Sequence, residues 1–447
     1  MTDAAALKTE LEAQGVKTCI ASYVDMHGVS KSKFVPISHF SQMMGGSEMF
    51  TGAALDGVPQ EINDEEVACM PDPASCSILP FRPDTAYFSC DLWCEGQPFE
   101  ACSRNILGRQ VAKAAEMGFT MNLGMEAEFF VFRDAPGVPA PVSPLHHLEK
   151  PAYDTTRLLD NMHWLDELVD AMNTLGWDVY SFDHEDGIGQ VEIDFAYADV
   201  RTMSDRFVLL RMMSNMIARK HGAYASFMPK PYGDRTGSGA HFNMSLADRG
   251  TGENLFKSDD DPRGCGLSPL GYQFLAGILR HLPAIMAVVA PSVNSYKRLV
   301  KQGSMSGFTW APVFACYGNN NRTNAMRIPK GGGRVELRAA DSACNPYLGA
   351  AMCLAAGLEG IAEGLDPGEP NTDNMYLVSD AERTERGIEM LPRTLDEAVR
   401  AFKADPLSKA VFGEAMFDSW SEFKDQEWLS YLNHVSDWEM QRYLRFF

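Results

Sequence analysis

The chain has 447 residues, of which 45% are hydrophobic and 22% are charged, the proportions of an ordinary soluble globular protein. This length is sufficient for two or three domains around a large core. The net charge of −21 disfavours nucleic acid and anionic membranes as partners, and an anionic substrate would need a local cluster of arginines.

The ten cysteines are scattered without a Cys-x-x-Cys spacing, which predicts reduced thiols in a cytoplasmic protein rather than zinc ligands or a disulfide framework. The N-terminal residues show neither a basic n-region nor an apolar h-region, so we predict no signal peptide. The longest apolar run, 275–290, is interrupted by Arg280 and His281 and is too short and too charged to span a bilayer.

The N-terminal part of the chain predicts a small β-rich domain, which we place at residues 14–103. A short helix over 3–14 ends at Gly15. Strand-like segments, separated by turns rich in Pro, Gly and Asp, lie at 18–23, 32–35 and 87–91. Ser103 is predicted to N-cap a helix that runs to Met117.

Residues 104–447 predict a second, larger domain. Strands are predicted at 124–132, 179–182 and 190–195, with a loop at 134–152. Helices are predicted at 156–175, 204–221, 268–290, 346–364 and from 418 to 447. Thr394 and Glu397 match a capping box. Strands and helices that alternate without regular βαβ spacing indicate an α+β fold.

The predicted strand at 124–132 places two carboxylates on one face, because Glu126 and Glu128 lie two positions apart. Neighbouring carboxylates repel each other, and divalent cations would remove that repulsion. A solvated sheet face is the ordinary alternative, but the apolar run that follows argues against it. A hairpin around the next glycine turn would add Glu185 and Glu192, although an acidic surface turn fits that segment equally well.

A glycine-rich turn at 236–239 leads into a strand on which His241, Asn243 and Ser245 share a face. A neutral histidine is a metal ligand, and Asn and Ser side chains suit a phosphate or nucleotide. For His241 alone, a hydrogen-bonded core histidine is the more frequent role, so the interpretation depends on its neighbours.

A basic segment follows near residue 330. Alternation puts Arg334, Glu336 and Arg338 on one face, which is costly in a plain core strand but suits a site that holds a metal and anions together. Arg322 and Arg327 add two cations, and in a chain this acidic we favour an anion clamp over a solvated basic face. Cations that bridge phosphate oxygens, with arginines that neutralise developing charge, are the machinery of phosphoryl transfer.

Taken together, these segments resemble the glutamine synthetase family over almost the whole chain. The motifs occur in the family's order: Glu-x-Glu-Phe-Phe at 126–130, His-Glu and Gly-Gln-x-Glu at 184–192, Phe-Met-Pro-Lys-Pro at 227–231, Gly-Ser-Gly-x-His at 237–241, Asn-Ser-Tyr-Lys-Arg-Leu at 294–299, Asn-Arg at 321–322 and Asn-Pro-Tyr at 345–347. The resemblance implies an N-terminal β-grasp domain and a C-terminal glutamine synthetase/guanidino kinase-like catalytic domain. It also implies a double-ring homo-oligomer, a dodecamer, with active sites between subunits.

The resemblance further implies the ligands and the role of each residue. Two or three Mg²⁺ or Mn²⁺ ions would be held by Glu128, Glu185 and Glu192 and by Glu126, His241 and Glu336. L-glutamate would contact Gly237, His241, Arg298 and Arg338. ATP would contact Asn243, Ser245, Arg327 and Arg334. The catalytic group would comprise Arg322, which assists phosphoryl transfer, with Asp186 and Glu192.

The reaction implied is a two-step ligation, in which ATP phosphorylates the γ-carboxylate of glutamate and an amine then displaces phosphate. Three positions depart from the family. Asn243 stands where a second histidine is common, and Thr236 replaces an asparagine. Tyr376 stands where some bacterial members carry an adenylylated tyrosine, but without the Asp-Leu-Pro that follows there.

Two more departures concern the amine. Ammonia-using relatives carry an aspartate and a glutamate where this chain has Thr51 and Trp310. An aromatic face attracts a cation, and a methyl group gains from apolar burial. The sequence therefore predicts methylamine as the amine and γ-glutamylmethylamide as the product, with ammonia as the alternative. Asp56, Glu66 and Asp186 remain equal candidates to accept the amine's proton.

Two other classes of function compete with a ligase. A guanidino-type kinase would leave the phosphoryl group on a nitrogen and release no inorganic phosphate. A non-catalytic relative would have lost ligands, whereas all six candidate metal ligands are present. We therefore favour the ligase.

Overall fold

A computed structural model gives the fold over residues 4–134, 140–301 and 309–447, where two β-sheets organise the chain. The strands of the N-terminal sheet are β1 (Thr18–Val24), β2 (Ser30–Pro36), β3 (Met49–Phe50), β4 (Val67–Pro71), β5 (Ser77–Ile78), β6 (Thr85–Cys94) and β7 (Gln97–Pro98). Those of the central sheet are β8 (Phe119–Arg133), β9 (Val179–His184), β10 (Gln190–Phe195), β11 (Ala198–Asp199), β12 (Ala223–Ser226), β13 (Ala240–Asp248), β14 (Phe314–Asn319), β15 (Asn324–Ile328) and β16 (Val335–Leu337).

Helices surround both sheets. They are α1 (Ala4–Ala13), α2 (Phe40–Met44), α3 (Ser103–Glu116), α4 (Thr155–Leu159), α5 (Met162–Thr174), α6 (Val200–Lys220), α7 (Pro269–Val289), α8 (Ser295–Arg298), α9 (Pro346–Glu363), α10 (Asp380–Glu385), α11 (Leu395–Ala404), α12 (Pro406–Phe412), α13 (Glu414–Leu432) and α14 (Asp437–Tyr443). The mixture of helices and sheets confirms the predicted α+β class.

The N-terminal sheet has the strand order β2-β1-β6-β4-β3, in which β1 and β6 run parallel and the other neighbours run antiparallel. Its two faces are both buried, but against different partners. Cys19 and Phe88 pack into a local core with α2, whereas Ile20 and Tyr87 join the large core of the catalytic domain. The parallel central pair and the covering helix fit the predicted β-grasp domain.

The central sheet, ordered β14-β15-β16-β13-β8-β10-β9, sets the register of the candidate site. On either side of β8, Glu126 lies opposite His241 of β13, and Glu128 lies opposite Glu192 of β10. Directly paired residues project their side chains from the same face within about 5 Å at Cβ. Glu336 of β16 pairs with Asn243 and Arg327 on its two neighbouring strands, so backbone register alone gathers most of the candidate ligands.

Two long apolar helices, α7 and α9, form the centre of the catalytic core. Glycines let their backbones touch: a Cβ on Gly277 would lie 2.0 Å from the carbonyl oxygen of Ala356. A Cβ on Gly360 would lie 2.2 Å from that of Gln273. Among the described residues, α7 is the helix long and apolar enough to cross a membrane, but 78% of its apolar window is buried inside the protein.

A buried guanidinium connects the two domains. Arg104, at the start of α3, is 3% exposed and forms ion pairs with Asp72 (2.8 Å) and Asp91 (3.0 Å) of the N-terminal domain and with Asp205 of α6 (2.9 Å). Such charge-assisted hydrogen bonds are strong when every partner is satisfied. The boundary that we predict between 103 and 104 falls at this helix start, and it stays a prediction.

The N-terminus of α3 differs from its predicted capping. Cys102 occupies the N-cap position and makes no side-chain cap. The hydroxyl of Ser103 donates instead to the carbonyl of Asp25 at 3.4 Å, and the side-chain amide of Asn345 donates to that carbonyl at 2.8 Å. Ser103 therefore supports the interface between the domains rather than the helix end.

The helix predicted at 156–175 is in fact two helices, α4 and α5. Asn161 explains the break, because its side-chain amide donates to the carbonyl of Arg157 at 2.8 Å and its oxygen accepts from the indole N–H of Trp164 at 3.1 Å. One side chain thus ends the first helix and supports the second. The predicted loop at 134–152 is free of helices in its described part, and 135–139 lie outside the described residues.

The C-terminal helix is also divided, into α13 and α14, and the predicted capping box is incomplete. The Thr394 hydroxyl accepts from the N–H of Glu397 at 3.1 Å, but the Glu397 carboxylate bonds to the N–H of Arg393 rather than to that of Thr394. A complete capping box, formed by Ser436 and Glu439, instead begins α14. The turn before it interrupts the predicted single helix.

Candidate active site

A cavity of about 780 Å³ opens over β8, β10 and β13, and it collects most of the residues predicted for the site. The predicted residues along its wall are Glu126, Glu128, Glu185, Asp186, Glu192, Gly237, His241, Arg298, Trp310, Arg322, Arg327, Arg334 and Arg338. Glu336 is fully buried beside the wall and holds Arg327 and Arg338.

The first carboxylate cluster consists of Glu126, His241 and Glu336, each of which offers a ligand atom within 4.8 Å of the others. The Nδ1 of His241 lies 2.8 Å from the Glu126 carboxylate and 3.5 Å from that of Glu336. The two oxygens of Glu336 accept from Arg327 and Arg338, both at 2.7 Å. The two arginines therefore balance negative charge in this cluster.

The charge state of Glu126 reflects that compensation. Burial alone would raise its pKa, but hydrogen bonds and charge from His241, an amide bond from Asn243 (2.9 Å) and the charge of Arg338 lower the pKa of Glu126 to about 2. Hydrogen bonds and opposite charges both favour an ionised carboxyl group. Glu126 thus stays a carboxylate throughout the physiological pH range.

The second carboxylate cluster consists of Glu128, Glu185 and Glu192, whose oxygens also lie within 4.8 Å of one another. Burial, followed by the charge of Glu128, raises the pKa of Glu185 to about 8, and burial with Glu128 and Glu185 raises the pKa of Glu192 strongly. Within the described ranges neither Glu185 nor Glu192 pairs with a lysine or arginine. Glu128 accepts from the N–H of Gly239 at 2.8 Å and lies 3.7 Å from the Nε2 of His241. The uncompensated charge of this cluster therefore belongs to Glu185 and Glu192.

The two clusters fit divalent cations. Three carboxylates, converging from two strands and the turn before β10, form an oxygen set of the kind that hard cations prefer, and the first cluster adds one imidazole nitrogen. Mutual repulsion and burial explain the raised pKa values of Glu185 and Glu192, and a bound cation would reverse both effects. The donor set thus suits Mg²⁺ or Mn²⁺.

A second cavity of about 490 Å³ adjoins the first and shares Glu126 and Arg334 with it. Asn243 and Ser245 line it, as predicted, together with the glycine turn at 332–333, which exposes backbone close to the cavity. The guanidinium of Arg334 donates to the Asn243 side chain at 2.9 Å. Polar side chains next to the carboxylate clusters give this cavity the chemistry of a nucleotide site.

The wall of the first cavity also contains the residues predicted for glutamate. Arg298 is 6% exposed and donates to the carbonyls of Ala339 (3.1 Å) and Arg338 (3.0 Å). Gly237 lies so close to Pro229 that a Cβ would stand 2.3 Å from its carbonyl oxygen. Only glycine fits there, so the turn brings its backbone directly against the cavity.

The residues predicted for the amine separate into two groups. Asp186 and Trp310 line the cavity. Thr51, Asp56 and Glu66 do not line it within this chain, because they lie in the N-terminal domain. There Thr51 donates to Glu66 at 3.1 Å, and Asp56 faces His27 at 3.3 Å.

Sequence reasoning missed several residues of the cavity wall, among them an aspartate and two tyrosines. Asp194 lies two positions after Glu192 on β10, so the alternation that groups Glu126 and Glu128 predicts its orientation too. Burial, with the charges of Glu126 and a neighbouring aspartate, raises the pKa of Asp194 to about 7. Tyr153 and Tyr180 also line the wall, and Tyr153 lies in a loop that carries no periodic signal.

Comparison with known proteins identifies the class. The catalytic domain of glutamine synthetase, as a family, matches residues 100–443. The chain therefore belongs to the glutamine synthetase family, and it is an enzyme of the ATP-dependent carbon–nitrogen ligase class.

Particular relatives are similar over nearly their whole length. A glutamate–methylamine ligase of Methyloversatilis universalis is 40% identical over 438 residues, which cover 98% of both chains. A glutamine synthetase of Rhizobium leguminosarum bv. phaseoli is 37% identical, with 95% of this chain and 96% of the relative covered. A solved GmaS/ADP complex has a TM-score of 0.92 at 37% identity and covers 99% of this chain and 100% of its own.

Proposed function

We propose that this enzyme joins methylamine to the γ-carboxylate of L-glutamate, with hydrolysis of ATP to ADP and phosphate, and so makes γ-glutamylmethylamide. The observation that carries the proposal is the position of Trp310 on the cavity wall, in the same cavity as the carboxylate clusters and the arginines. A methylammonium ion presents both a charge for the indole face and a methyl group for apolar contact. The similarity to a glutamate–methylamine ligase supports the same assignment.

The first step is transfer of the γ-phosphoryl group of ATP to the γ-carboxylate. Asn243, Ser245 and Arg334 hold the nucleotide in the adjoining cavity, while Gly237 and Arg298 hold glutamate. Arg322, which is exposed, and Arg327 line the first cavity and neutralise charge on the transferring group. The bond from the γ-phosphorus to ADP breaks as the bond to the carboxylate oxygen forms.

Two metal positions complete this arrangement. Glu126, His241 and Glu336 would hold one cation, and Glu128, Glu185 and Glu192 would hold the other. With two or three ions bound in each active site, Mg²⁺ or Mn²⁺ would supply positive charge that screens the phosphate oxygens from the carboxylates. The protein's contribution is to keep six ligands converged in a buried wall.

The second step is attack of the amine on the carbonyl carbon of γ-glutamyl phosphate, which expels phosphate. The amine must first lose a proton. Asp186 is buried and lines the cavity, so we assign the proton acceptor to Asp186 rather than to Asp56 or Glu66, which do not reach the cavity within this chain. Glu192 lines the same cavity.

Ammonia is the second candidate amine, because ammonia is smaller than methylamine and glutamine synthetases are among the relatives. The test compares kcat/KM for the two amines at one pH with saturating glutamate and ATP. We expect methylamine to be preferred by about 10–200-fold, the range that one methyl group and its contacts provide. A higher value for ammonia would return the enzyme to glutamine synthesis.

We also propose that the enzyme works as a cytoplasmic homo-oligomer, a double-ring dodecamer with active sites between subunits. The C-terminal segment supports an assembly, because it exposes a run of large apolar side chains that a monomer would leave in water. They are Leu429, Tyr431, Leu432, Val435, Trp438, Tyr443, Leu444, Phe446 and Phe447. Deletion of residues from 434 onward should reduce the number of subunits in the oligomer, measured by its native mass. A folded variant with an unchanged number of subunits would exclude a ring-joining role.

A further inference from the structure

Two aromatic residues of the cavity wall have a backbone conformation that bulky side chains rarely adopt. Trp310 has φ +55° and Tyr153 has φ +63°, both in the left-handed region. Residues with a large side chain remain there only when their surroundings hold them, and such positions concentrate at functional sites. The question for Trp310 is therefore which contacts hold it.

Hydrogen bonds on both sides of Trp310 answer that question. The phenol of Tyr376 donates to the carbonyl of Ala311 at 2.7 Å. The hydroxyl of Thr309 donates to the carbonyl of Val300 at 2.5 Å, and its side chain also contacts the Tyr376 phenol. Both residues adjacent to Trp310 are thus fixed to other parts of the chain, and Tyr376 touches both sides.

Tyr376 itself is well placed to serve as an anchor. It lies between α9 and α10, and its own N–H donates to the side chain of Asn374 at 3.1 Å. Burial raises the pKa of Tyr376 to about 12, against the smaller opposing charge of Arg338, so the phenol keeps its proton and remains a donor at neutral pH. The anchor is partly buried and stays protonated at neutral pH.

We propose that Tyr376 is a positioning residue for amine selection, because its hydroxyl fixes the turn that presents Trp310 to the cavity. This inference rests on the proposed function. Cation–π attraction and methyl contact both depend on the position of the indole ring. Release of the Ala311 carbonyl would let the ring move, which costs methylammonium both the cation–π attraction and the methyl contact but costs ammonium the cation–π attraction alone.

The test is the variant Tyr376→Phe in the full-length enzyme, which removes one oxygen and keeps the ring. We expect the ratio of kcat/KM for methylamine to kcat/KM for ammonia to fall about two- to tenfold, the value of one hydrogen bond, mainly through KM for methylamine. KM for glutamate and for ATP should stay within about twofold of the wild-type values, as such a local change implies. An unchanged amine ratio would overturn the inference.

The matched control is Tyr317→Phe. Tyr317 is buried, and its phenol also donates to a main-chain carbonyl, but that carbonyl belongs to Gly368, at 2.5 Å, and not to a residue beside Trp310. This variant should leave the amine ratio unchanged. A fall in the ratio equal to that of Tyr376→Phe would assign the effect to general loosening and overturn the proposal.

A double-mutant cycle shows whether Tyr376 acts through the indole. In a Trp310→Ala background, Tyr376→Phe should no longer change the amine ratio, because residues that act as one unit are not additive. Additive effects would overturn the proposal. If Tyr376→Phe does not fold, Thr309→Val releases the same turn from the other side and should lower the ratio in the same direction; an unchanged ratio in that variant contradicts the inference.

The two hypotheses fail separately in this experiment. The wild-type amine ratio tests the proposed function, since a wild-type preference for ammonia contradicts methylamine ligation whatever the variants do. The change in the ratio upon substitution tests the role of Tyr376. A wild-type enzyme that prefers methylamine and keeps that preference in Tyr376→Phe refutes only the positioning role.

Discussion

The two carboxylate clusters are adjacent in one sheet, yet the protein treats their charge in opposite ways. In the first cluster, the oxygens of Glu336 accept from two arginines, and the pKa of Glu126 is lowered to about 2. In the second, burial and neighbouring carboxylates raise the pKa of Glu185 to about 8, and they also raise the pKa of Glu192 well above its usual range. Arginines balance the charge of the first cluster, whereas no lysine or arginine pairs with Glu185 or Glu192 within the described residues.

This difference has a physical origin in the strands that meet at each cluster. On the side of β13, β15 and β16, strand pairing places Arg327 and Asn243 directly opposite Glu336. On the side of β10, the residue paired with Glu128 is another glutamate, Glu192. We infer that the first cluster helps to hold the sheet together with or without metal, whereas the second gives up stability in order to bind one.

The largest expected effect is a difference in the free energy of unfolding, measured without metal, between variants of the two clusters. Glu336→Gln should lower the free energy of unfolding by about 3–5 kcal/mol, because it leaves the buried Arg338 and the nearby Arg327 without their carboxylate. Glu192→Gln should leave stability unchanged or raise it, because it removes repulsion. The measurement is the urea midpoint in the presence of a chelator. Equal destabilisation by both variants would erase the distinction between the clusters.

In activity the same two variants should behave alike. Each removes a ligand and part of the electrostatic stabilisation of phosphoryl transfer, so kcat should fall about 10²–10³-fold in both at saturating Mg²⁺. The rate of ADP release with glutamate and methylamine measures kcat. The control is Glu116→Gln, at the exposed end of α3, which should keep the wild-type rate. A wild-type rate in either variant would contradict the assignment of two metal positions.

How far the sequence predicts this contrast depends on which residues are concerned. The alternation on β8 places Glu126 and Glu128 on one face, and that orientation is confirmed by the structure. Which cations lie opposite each glutamate depends on how strands pair, and pairing between β13 and β16 joins segments about 90 residues apart. Local periodicity carries no information about such a register, so the compensation of one cluster was not predictable.

Other differences arise where side chains override local propensity. The break at Asn161 is caused by hydrogen bonds to Arg157 and Trp164, although the sequence around it has the pattern of one continuous helix. The left-handed conformation at Trp310 could not be predicted, because the position is not a glycine. Hydrogen bonds from Tyr376 and Thr309 stabilise it instead. Both features depend on tertiary contacts rather than on neighbouring residues.

The next effect concerns pH. Because the folded protein holds the Glu185 proton more tightly than the unfolded chain, its stabilising contribution is complete below about pH 4.5 and is lost as pH rises through about 8. Metal-free protein should therefore lose stability across this window. Binding requires the ionised carboxylate, so Mg²⁺ should raise the free energy of unfolding more near pH 8.5 than near pH 6, by up to about 2–3 kcal/mol, with a correspondingly larger rise in Tm.

Thermal unfolding at both pH values, with chelator and with Mg²⁺, measures this difference. Glu185→Gln is the matched variant: without a titrating group at this position, the metal-free stability should change less with pH, and Mg²⁺ should stabilise the protein less. A Mg²⁺ effect that is independent of pH in the wild-type enzyme would show that the second cluster is not the part of the site that awaits a cation.

The smallest expected effect tests whether the hydrogen bonds that balance the charge of the first cluster also contribute to ATP binding. Asn243 donates to Glu126 at 2.9 Å and accepts from Arg334 at 2.9 Å, so it joins the first cluster to the second cavity. Asn243→Ala removes both bonds, but only the bond to Arg334 concerns the nucleotide. The variant should therefore raise KM for ATP about two- to tenfold, the value of one ordinary hydrogen bond, with little change in kcat. Asn243→Asp keeps the acceptor for Arg334 but places a second carboxylate beside Glu126, so it should raise the Mg²⁺ requirement more than KM for ATP. Identical effects of the two substitutions would mean that Asn243 acts on one neighbour only, and that the first cluster is compensated without any link to ATP binding.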